Sequence, residues 1–211
     1  MRNDSGREVD RSLALLRWFF REPLGVRFEI LEQTVLVTGE SKGIGKTISV
    51  GFARCGAFVS IMDIDVEAGN RLVSQMISDE GRATFIYGDV SSEDDVMRVV
   101  TGTVGLSGSI GVLINNAGIG WTGTLLERSA DDWRKVIEVN LTGPYLMAKY
   151  CSTYLATSKG SSIINIVSTL ALMLVSSSEP YSTSKGSQLA HTHLPAIILG
   201  PKVRVSATCS G

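Results

Sequence analysis

A glycine-rich run around residue 40 has the spacing of a loop that binds phosphate. It reads Thr38-Gly39-Glu40-Ser41-Lys42-Gly43-Ile44-Gly45 and lies between a short β-branched run and a helical pattern. Glycines let the chain turn tightly and bring backbone N–H groups close to an anion, and the dipole of the following helix adds to the attraction. An ordinary strand-to-helix turn needs only one glycine. We therefore expect the pyrophosphate of a dinucleotide to be bound by Gly39, Ser41, Lys42, Gly43, Ile44 and Gly45.

An acidic residue after the next β-branched run indicates which dinucleotide fits. Asp63 stands close to the offset of about 20 residues at which an acid meets the adenosine ribose. Its carboxylate accepts hydrogen bonds from the ribose hydroxyls and repels a 2′-phosphate, so it favours NAD as the cofactor. Lys42 weakly favours NADP, because a cation beside the loop attracts that phosphate. Two alternatives stay open, namely Asp65 in the same role and a solvated Asp63 with no ligand.

A repeated alternation of strand and helix patterns must position these residues. The predicted strands are Thr34–Thr38, Phe58–Met62, Ala83–Tyr87, Val112–Asn115, Ser162–Val167 and Val203–Ala207. The predicted helices are Ile44–Cys55, Val66–Asp79, Asp94–Val104, Asp131–Thr157 and Tyr181–Leu199. The strands are almost continuously apolar, as in parallel sheets that are covered on both faces. The pattern predicts an α/β fold, a doubly wound Rossmann sheet of about six parallel strands, with its ligand crevice at their carboxyl ends.

Length and composition limit the function classes. The chain has 211 residues, of which 44% are hydrophobic and 19% charged, enough for one domain with a sizeable core. The predicted parts are an N-terminal extension over 1–33, with an amphipathic stretch at 10–21, and a dinucleotide-binding domain over 34–211. The net charge of −1 argues against a nucleic-acid partner. No apolar run reaches the roughly 20 residues of a membrane span.

The cysteines indicate neither a metal site nor a disulfide framework. Cys55, Cys151 and Cys209 are far apart in the sequence and odd in number. We therefore predict that no metal is bound and that the protein works in a reducing compartment, the cytoplasm.

Three further motifs complete a pattern that extends over most of the chain. They are Asn115-Asn116-Ala117-Gly118, Tyr181-x-x-x-Lys185, and Ser168, which stands thirteen residues before the tyrosine. Together with the glycine-rich run, and in this order on these elements, they resemble the short-chain dehydrogenase/reductase family. The resemblance covers residues 34–211, that is, everything after the N-terminal extension.

The resemblance implies a catalytic role for four residues. Tyr181 passes a proton to or from the substrate oxygen, and it needs help because the pKa of a free tyrosine is about 10. Lys185 lies one helical turn further on the same face, where its charge favours tyrosinate and its amine holds the nicotinamide ribose. Ser168 polarises the substrate carbonyl or alcohol. Asn140 connects Lys185 to solvent through a water molecule.

The resemblance also implies the remaining cofactor contacts and the partners. Asp89 meets the adenine, with Val90 beside it, while Asn116, Ala117 and Gly118 line the adenosine side and Asn115 is structural. The implied function is an NAD(P)-dependent oxidoreductase that interconverts a secondary alcohol and a ketone. The implied partners are a small-molecule alcohol or ketone substrate, whose identity the sequence does not indicate, and further copies of the chain in a homo-oligomer.

Two departures from the family pattern support alternative functions. Family members usually have roughly 250 residues, and Ser210-Gly211 stands where a Pro-Gly normally follows the sixth strand, so we expect a C-terminally truncated chain without the substrate loop and last strand. We also expect Pro195 to kink or break the helix of Tyr181. The alternatives are a non-catalytic dinucleotide-binding or interaction protein and an inactive truncated fragment.

Overall fold

The computed structural model describes residues 30, 32–39, 43–120, 124, 126–173 and 175–210. In this part of the chain, strands and helices alternate and form a single parallel sheet. The α/β fold predicted from the sequence is thus confirmed. The predicted amphipathic stretch at 10–21 and the loop residues Ser41 and Lys42 lie outside the described residues.

Six parallel strands form the sheet. They are β1 (Thr34–Thr38), β2 (Phe58–Asp63), β3 (Arg82–Tyr87), β4 (Val112–Asn115), β5 (Ser162–Ser168) and β6 (Arg204–Ser210). Their order is β3-β2-β1-β4-β5-β6, so the direction of winding reverses between β1 and β4. In a doubly wound sheet, this reversal is the place where a ligand crevice is expected, at the carboxyl ends of the two strands. The register pairs Val37 with Ile114 across this central junction.

Six α-helices connect the strands. They are α1 (Gly43–Arg54), α2 (Val66–Ser78), α3 (Glu93–Ser107), α4 (Ala130–Ile137), α5 (Gly143–Thr157) and α6 (Glu179–Leu199). A capping box begins α4, since the Ser129 side chain accepts a hydrogen bond from the Asp132 N–H and the Asp132 carboxylate accepts one from the Ser129 N–H. A short 3-10 helix, Thr169–Ala171, follows β5.

The core lies on both faces of the sheet. All five residues of β1 are buried, and its side chains alternate between two apolar clusters. Leu36 packs in one cluster with residues of α3 and α5, whereas Val35 and Val37 pack in the other with residues of α1 and α2. Because successive side chains of a strand point to opposite faces, the helices cover the sheet on both sides. This explains the continuous apolar runs of the central strands.

Two predictions for the helices were wrong in detail. The predicted helix Asp131–Thr157 is divided by a π-helical turn, Glu138–Thr142, which separates α4 from α5. The helix α6 is not broken at Pro195, because it continues to Leu199. The proline removes one backbone donor near the end of the helix, and exposed side chains such as Leu194 and Ile198 surround it, so the loss does not disturb the buried first turns.

A pair of glycine substitutions tests the packing of the sheet against its helices. A methyl group at Gly69 in α2 would lie 2.2 Å from the ring of Phe85 in β3, whereas one at Gly105 in α3 would have no neighbour within 4 Å. We expect Gly69→Ala to lower the free energy of unfolding by about 1–2 kcal/mol through overpacking. We expect Gly105→Ala to raise it by about 0.5–1 kcal/mol, because alanine favours the helix.

Urea denaturation of both variants beside the wild-type chain measures the difference. A Gly69→Ala protein as stable as the Gly105→Ala protein would contradict this packing of α2 on β3.

Candidate active site

The loops after β1 and β4 are held together by the side chains of Thr38 and Asn116. The Thr38 Oγ1 accepts hydrogen bonds from the backbone N–H groups of Asn116 at 3.2 Å and Ala117 at 3.1 Å. In return, the Asn116 Nδ2 donates to the carbonyl oxygens of Thr38 at 3.1 Å and Gly39 at 2.6 Å. The predicted phosphate loop and the predicted Asn-Asn-Ala-Gly motif therefore lie side by side at the crevice.

Glycine is required at two places in the loop after β1. Gly39 has a φ of +72°, and a methyl group there would lie 2.4 Å from the Cα of Ala117. Gly43 has a φ of +71° and begins α1, with open space around its α-carbon. A positive φ strains any residue with a side chain. A helix that begins at Gly43 and a close backbone approach at Gly39 are two features that a phosphate-binding turn requires.

Asp63 and Asp65 form different hydrogen bonds at the end of β2. The Asp65 carboxylate accepts a hydrogen bond from the Ala68 N–H at 2.9 Å and caps α2. The Asp63 carboxylate lies at the strand end, is 8% exposed, and accepts a hydrogen bond from the Asp65 N–H at 2.9 Å. Asp65 is thus engaged as the cap of α2, whereas Asp63 is the last residue of β2.

The segment after β3 forms a tight turn. The Asp89 carboxylate accepts hydrogen bonds from the Ser91 N–H at 2.9 Å and the Ser91 hydroxyl at 2.7 Å, while the Asp89 N–H donates to Asp95 at 3.0 Å. Val90 is 6% exposed and belongs to the apolar core. A methyl group at Gly143 would lie 2.9 Å from Val90, so this turn packs tightly against α5.

Tyr181 and Lys185 lie one turn apart near the start of α6. Lys185 is 3% exposed, and its Nζ donates to the Ile166 carbonyl at 2.8 Å and to the Gln188 Oε1 at 3.0 Å. The ammonium nitrogen is 5.9 Å from the centre of the Tyr181 ring. Burial lowers the pKa of Lys185 from the ordinary lysine value to about 8.

Asn140 lies in the π-helical turn and is fully buried. Its Oδ1 accepts a hydrogen bond from the Ile119 N–H at 2.8 Å, and its Nδ2 donates to the Ile119 carbonyl at 2.9 Å and the Ser184 Oγ at 3.0 Å. The amide thus fixes the loop after β4 and also contacts α6. A methyl group on Gly118 would lie 3.4 Å from the Asn140 Oδ1 and 3.5 Å from the Lys185 Nζ, so both side chains converge on this glycine.

Ser168 ends β5 at the same edge of the sheet. It is 7% exposed, and its Oγ accepts a hydrogen bond from the Leu170 N–H at 3.2 Å. Its register partner is Ser210 in β6, whose hydroxyl donates to the Val167 carbonyl at 3.2 Å. The structure therefore places the four predicted catalytic residues on β5, the π-helical turn and α6.

Sequence reasoning missed two residues around this site. Gln188 contacts Lys185 directly, and a polar residue three positions after the lysine was the available signal. Arg128 precedes α4 and pairs with Glu179 at 2.7 Å, with its own side chain 4% exposed. Glu179 is two residues before Tyr181, so this ion pair ties the segment before α4 to the start of α6. Because 51 residues separate its members, no sequence pattern indicates the pair.

The described ranges contain neither a membrane-spanning helix nor a cluster of potential metal ligands. No helix there combines the length and apolar character needed to cross a bilayer. The same ranges contain no group of three or more His, Cys, Asp or Glu side chains that could hold a metal ion.

The buried lysine predicts a pH dependence of stability. Its pKa of about 8 in the folded chain compares with about 10.4 for an unfolded lysine. Between these values the unfolded state binds more protons, so the free energy of unfolding rises with pH. From pH 8 to about 10 we expect the wild-type chain to gain about 2 kcal/mol relative to Lys185→Met. Urea denaturation across this range measures the gain, and parallel curves for the two proteins would argue against it.

Comparisons with known proteins agree with this geometry. A family model described as short chain dehydrogenase matches residues 33–211. An uncharacterized oxidoreductase of Thermotoga maritima is 40% identical over 168 residues, which is 79% of this chain and 65% of the relative. The chain thus spans about two thirds of that protein's length. A 3-oxoacyl-[acyl-carrier-protein] reductase of Synechocystis is 33% identical, over 85% of this chain and 73% of the relative.

A solved structure supports the same conclusion. NAD+-bound xylitol dehydrogenase superposes with a TM-score of 0.83 and 29% identity, over 87% of this chain and 71% of that one. The strand order, the crevice loops and the match over residues 33–211 all agree. The chain therefore belongs to the short-chain dehydrogenase family of oxidoreductases.

Proposed function

We propose that this protein is an NAD(P)-dependent oxidoreductase that interconverts a secondary alcohol and a ketone. The observation that carries the proposal is the buried ammonium of Lys185, held 5.9 Å from the Tyr181 ring at the carboxyl edge of a Rossmann sheet. A buried charge is costly unless it is hydrogen-bonded, and here two acceptors hold the ammonium beside the Tyr181 phenol. Ser168 is the last residue of β5, and its hydroxyl would form a hydrogen bond with a substrate oxygen.

The loops of the crevice fit a dinucleotide, and NAD is the proposed cofactor. Gly39, Gly43, Ile44 and Gly45 would hold the pyrophosphate, with Ser41 and Lys42 in the same loop. The Asp63 carboxylate would accept hydrogen bonds from the adenosine ribose and repel a 2′-phosphate. The NAD+-bound state of xylitol dehydrogenase supports this choice. The remaining contacts would come from Asp89, Val90, Asn116, Ala117, Gly118 and Lys185.

The chain's own residues would bind the substrate and move its proton. The cofactor supplies the hydride chemistry when it is bound. The Ser168 hydroxyl would donate to the substrate oxygen and orient it. In the oxidation direction, the Tyr181 phenolate takes the hydroxyl proton of the alcohol, and in the reduction direction the phenol returns a proton to the same oxygen. Lys185 stabilises the phenolate by its charge, and Asn140 supports the water that exchanges protons with Lys185.

The substrate class is a small alcohol or ketone. The names of the relatives include a fucose dehydrogenase and a 3-oxoacyl reductase, so similarity alone does not choose between sugars and acyl chains. The three cysteines are free, which supports work in the reducing cytoplasm. Exposed apolar residues on α6, among them Leu194, Ile197 and Ile198, support assembly into a homo-oligomer.

Replacing the tyrosine hydroxyl tests the proton transfer. We expect Tyr181→Phe to abolish NADH-dependent ketone reduction, because the proton donor is lost, while the affinity for NADH stays within a few-fold. The measurement is NADH oxidation with a panel of ketones, combined with a fluorescence titration of NADH. Tyr154→Phe, a change in the last turn of α5, serves as the control and keeps its activity. Full activity of Tyr181→Phe would overturn the assignment.

Replacing Asp63 tests the choice of cofactor. NADH at one hundred times its dissociation constant should raise the apparent stability of the wild-type chain by about 2.7 kcal/mol, seen as a thermal shift. In Asp63→Ala we expect this shift to fall and the shift with NADPH to be kept or increased, because the repulsion of the 2′-phosphate is removed.

Asp65→Ala is the matched control. It loses the α2 cap and about 1 kcal/mol of stability, but both nucleotides should shift it as they shift the wild-type chain. Equal losses for NADH in the two variants would assign the ribose contact to neither acid.

A further inference from the structure

The side chain of Gln188 is a fully buried amide whose oxygen and nitrogen differ in their hydrogen bonding. It lies on α6, three residues after Lys185, and has no solvent exposure. Its Oε1 accepts a hydrogen bond from the Lys185 Nζ at 3.0 Å. Among the described residues, none forms a hydrogen bond with its Nε2. An unpaired buried donor lowers the stability of the folded state, so a leucine of similar size would pack at this position at lower cost.

The contact with Lys185 accounts for an amide at this position. The ammonium meets two neutral acceptors, the Ile166 carbonyl of β5 and the Gln188 Oε1 of α6. A methyl group on Gly118, in the loop after β4, would lie 3.5 Å from the Nζ. Tyr181 is the titratable side chain that faces the ammonium, and burial alone, without a carboxylate, shifts the pKa of Lys185. Gln188 therefore supplies half of the acceptors for a buried charge.

The orientation of the amide follows from this contact. An amide turned by 180° would direct Nε2 toward the ammonium, and two donors would then face each other. The backbone at Gln188 is also anchored, because the Thr192 Oγ1 donates to its carbonyl at 2.8 Å and accepts a hydrogen bond from the Asn165 Nδ2 at 3.0 Å. Oε1 is presented to Lys185 from the continuous helix α6, and Thr192 adds a separate link between that helix and β5.

We propose that Gln188 is a positioning residue, which holds the ammonium of Lys185 against β5 so that its third N–H points toward the crevice. An ammonium has three donors, and Ile166 and Gln188 take two of them. The remaining donor serves Tyr181 and the nucleotide. The placement of Lys185 stands on the observed contacts, whereas its use in catalysis rests on the proposed function.

Direct titration of Lys185 tests this inference without measuring activity. The ¹³Cε signal of Lys185, assigned by its absence in Lys185→Met, is followed from pH 6 to 11 in the wild-type chain, Gln188→Leu and Gln188→Glu. We expect the midpoint to fall by about one unit in Gln188→Leu, because an acceptor for the charged form is lost. We expect it to rise by about one unit or more in Gln188→Glu, because a carboxylate then faces the ammonium.

Thr192→Val is the matched control on the same helix. It removes a buried hydrogen bond to the backbone of Gln188 without touching Lys185, so it should lower the stability and leave the titration midpoint within about 0.2 units of wild type. Should Gln188→Leu fail to fold, the rise in Gln188→Glu still decides the question. The inference is overturned if the midpoints of the Gln188 variants match that of wild type, or if Thr192→Val shifts the midpoint as far as Gln188→Leu does.

The outcome is separable from the proposed function. If the midpoints move as expected but no ketone is reduced, the positioning role stands and the proposed activity fails. If the chain reduces ketones and Gln188→Leu keeps the wild-type midpoint, the activity stands and the role of Gln188 is rejected.

Discussion

The near contact between the backbones of Gly39 and Ala117 is the constraint on which the crevice depends. A single methyl group at Gly39 would lie 2.4 Å from the Cα of Ala117, so the two main chains approach closely at this point. Thr38 and Asn116 then fasten these loops with four hydrogen bonds. The helices that follow β1 and β4 can therefore lie on opposite faces of the sheet while the first residues after the two strands stay in contact.

The part of the site around Asn140 and Lys185 is held together in a different way. Its buried polar side chains form hydrogen bonds with backbone groups. Asn140 pairs with both backbone groups of Ile119, and Lys185 is held by the carbonyl of Ile166. Each contact joins two elements that are distant in sequence, so the site is rigid only when the whole sheet is formed. The π-helical turn contributes by placing Asn140 in the interior, and such turns are frequent at functional sites.

Much of the fold was predictable because hydrophobic patterns report burial. All six strands were predicted within three residues of their observed ends, since the central ones are apolar on both faces. The π-helical turn was not predictable, because its wider hydrogen bonding leaves no mark on the periodicity over Glu138–Thr142. Pro195 was misjudged for a related reason. Helix propensity is local, but the position of a proline relative to the packed turns decides its effect.

The residue types of the site could be predicted from the sequence, but their hydrogen-bond partners could not. The glycine-rich run, the Asn-Asn-Ala-Gly motif and the Tyr-x-x-x-Lys spacing indicated a dinucleotide crevice and an acid–base pair, because such chemistry needs particular side chains at particular distances along one element. The tertiary structure alone decided that Asp65 caps a helix and that Gln188 accepts a hydrogen bond from Lys185. Those outcomes depend on which buried groups meet across separate elements, and a hydrogen bond is formed in space rather than along the chain.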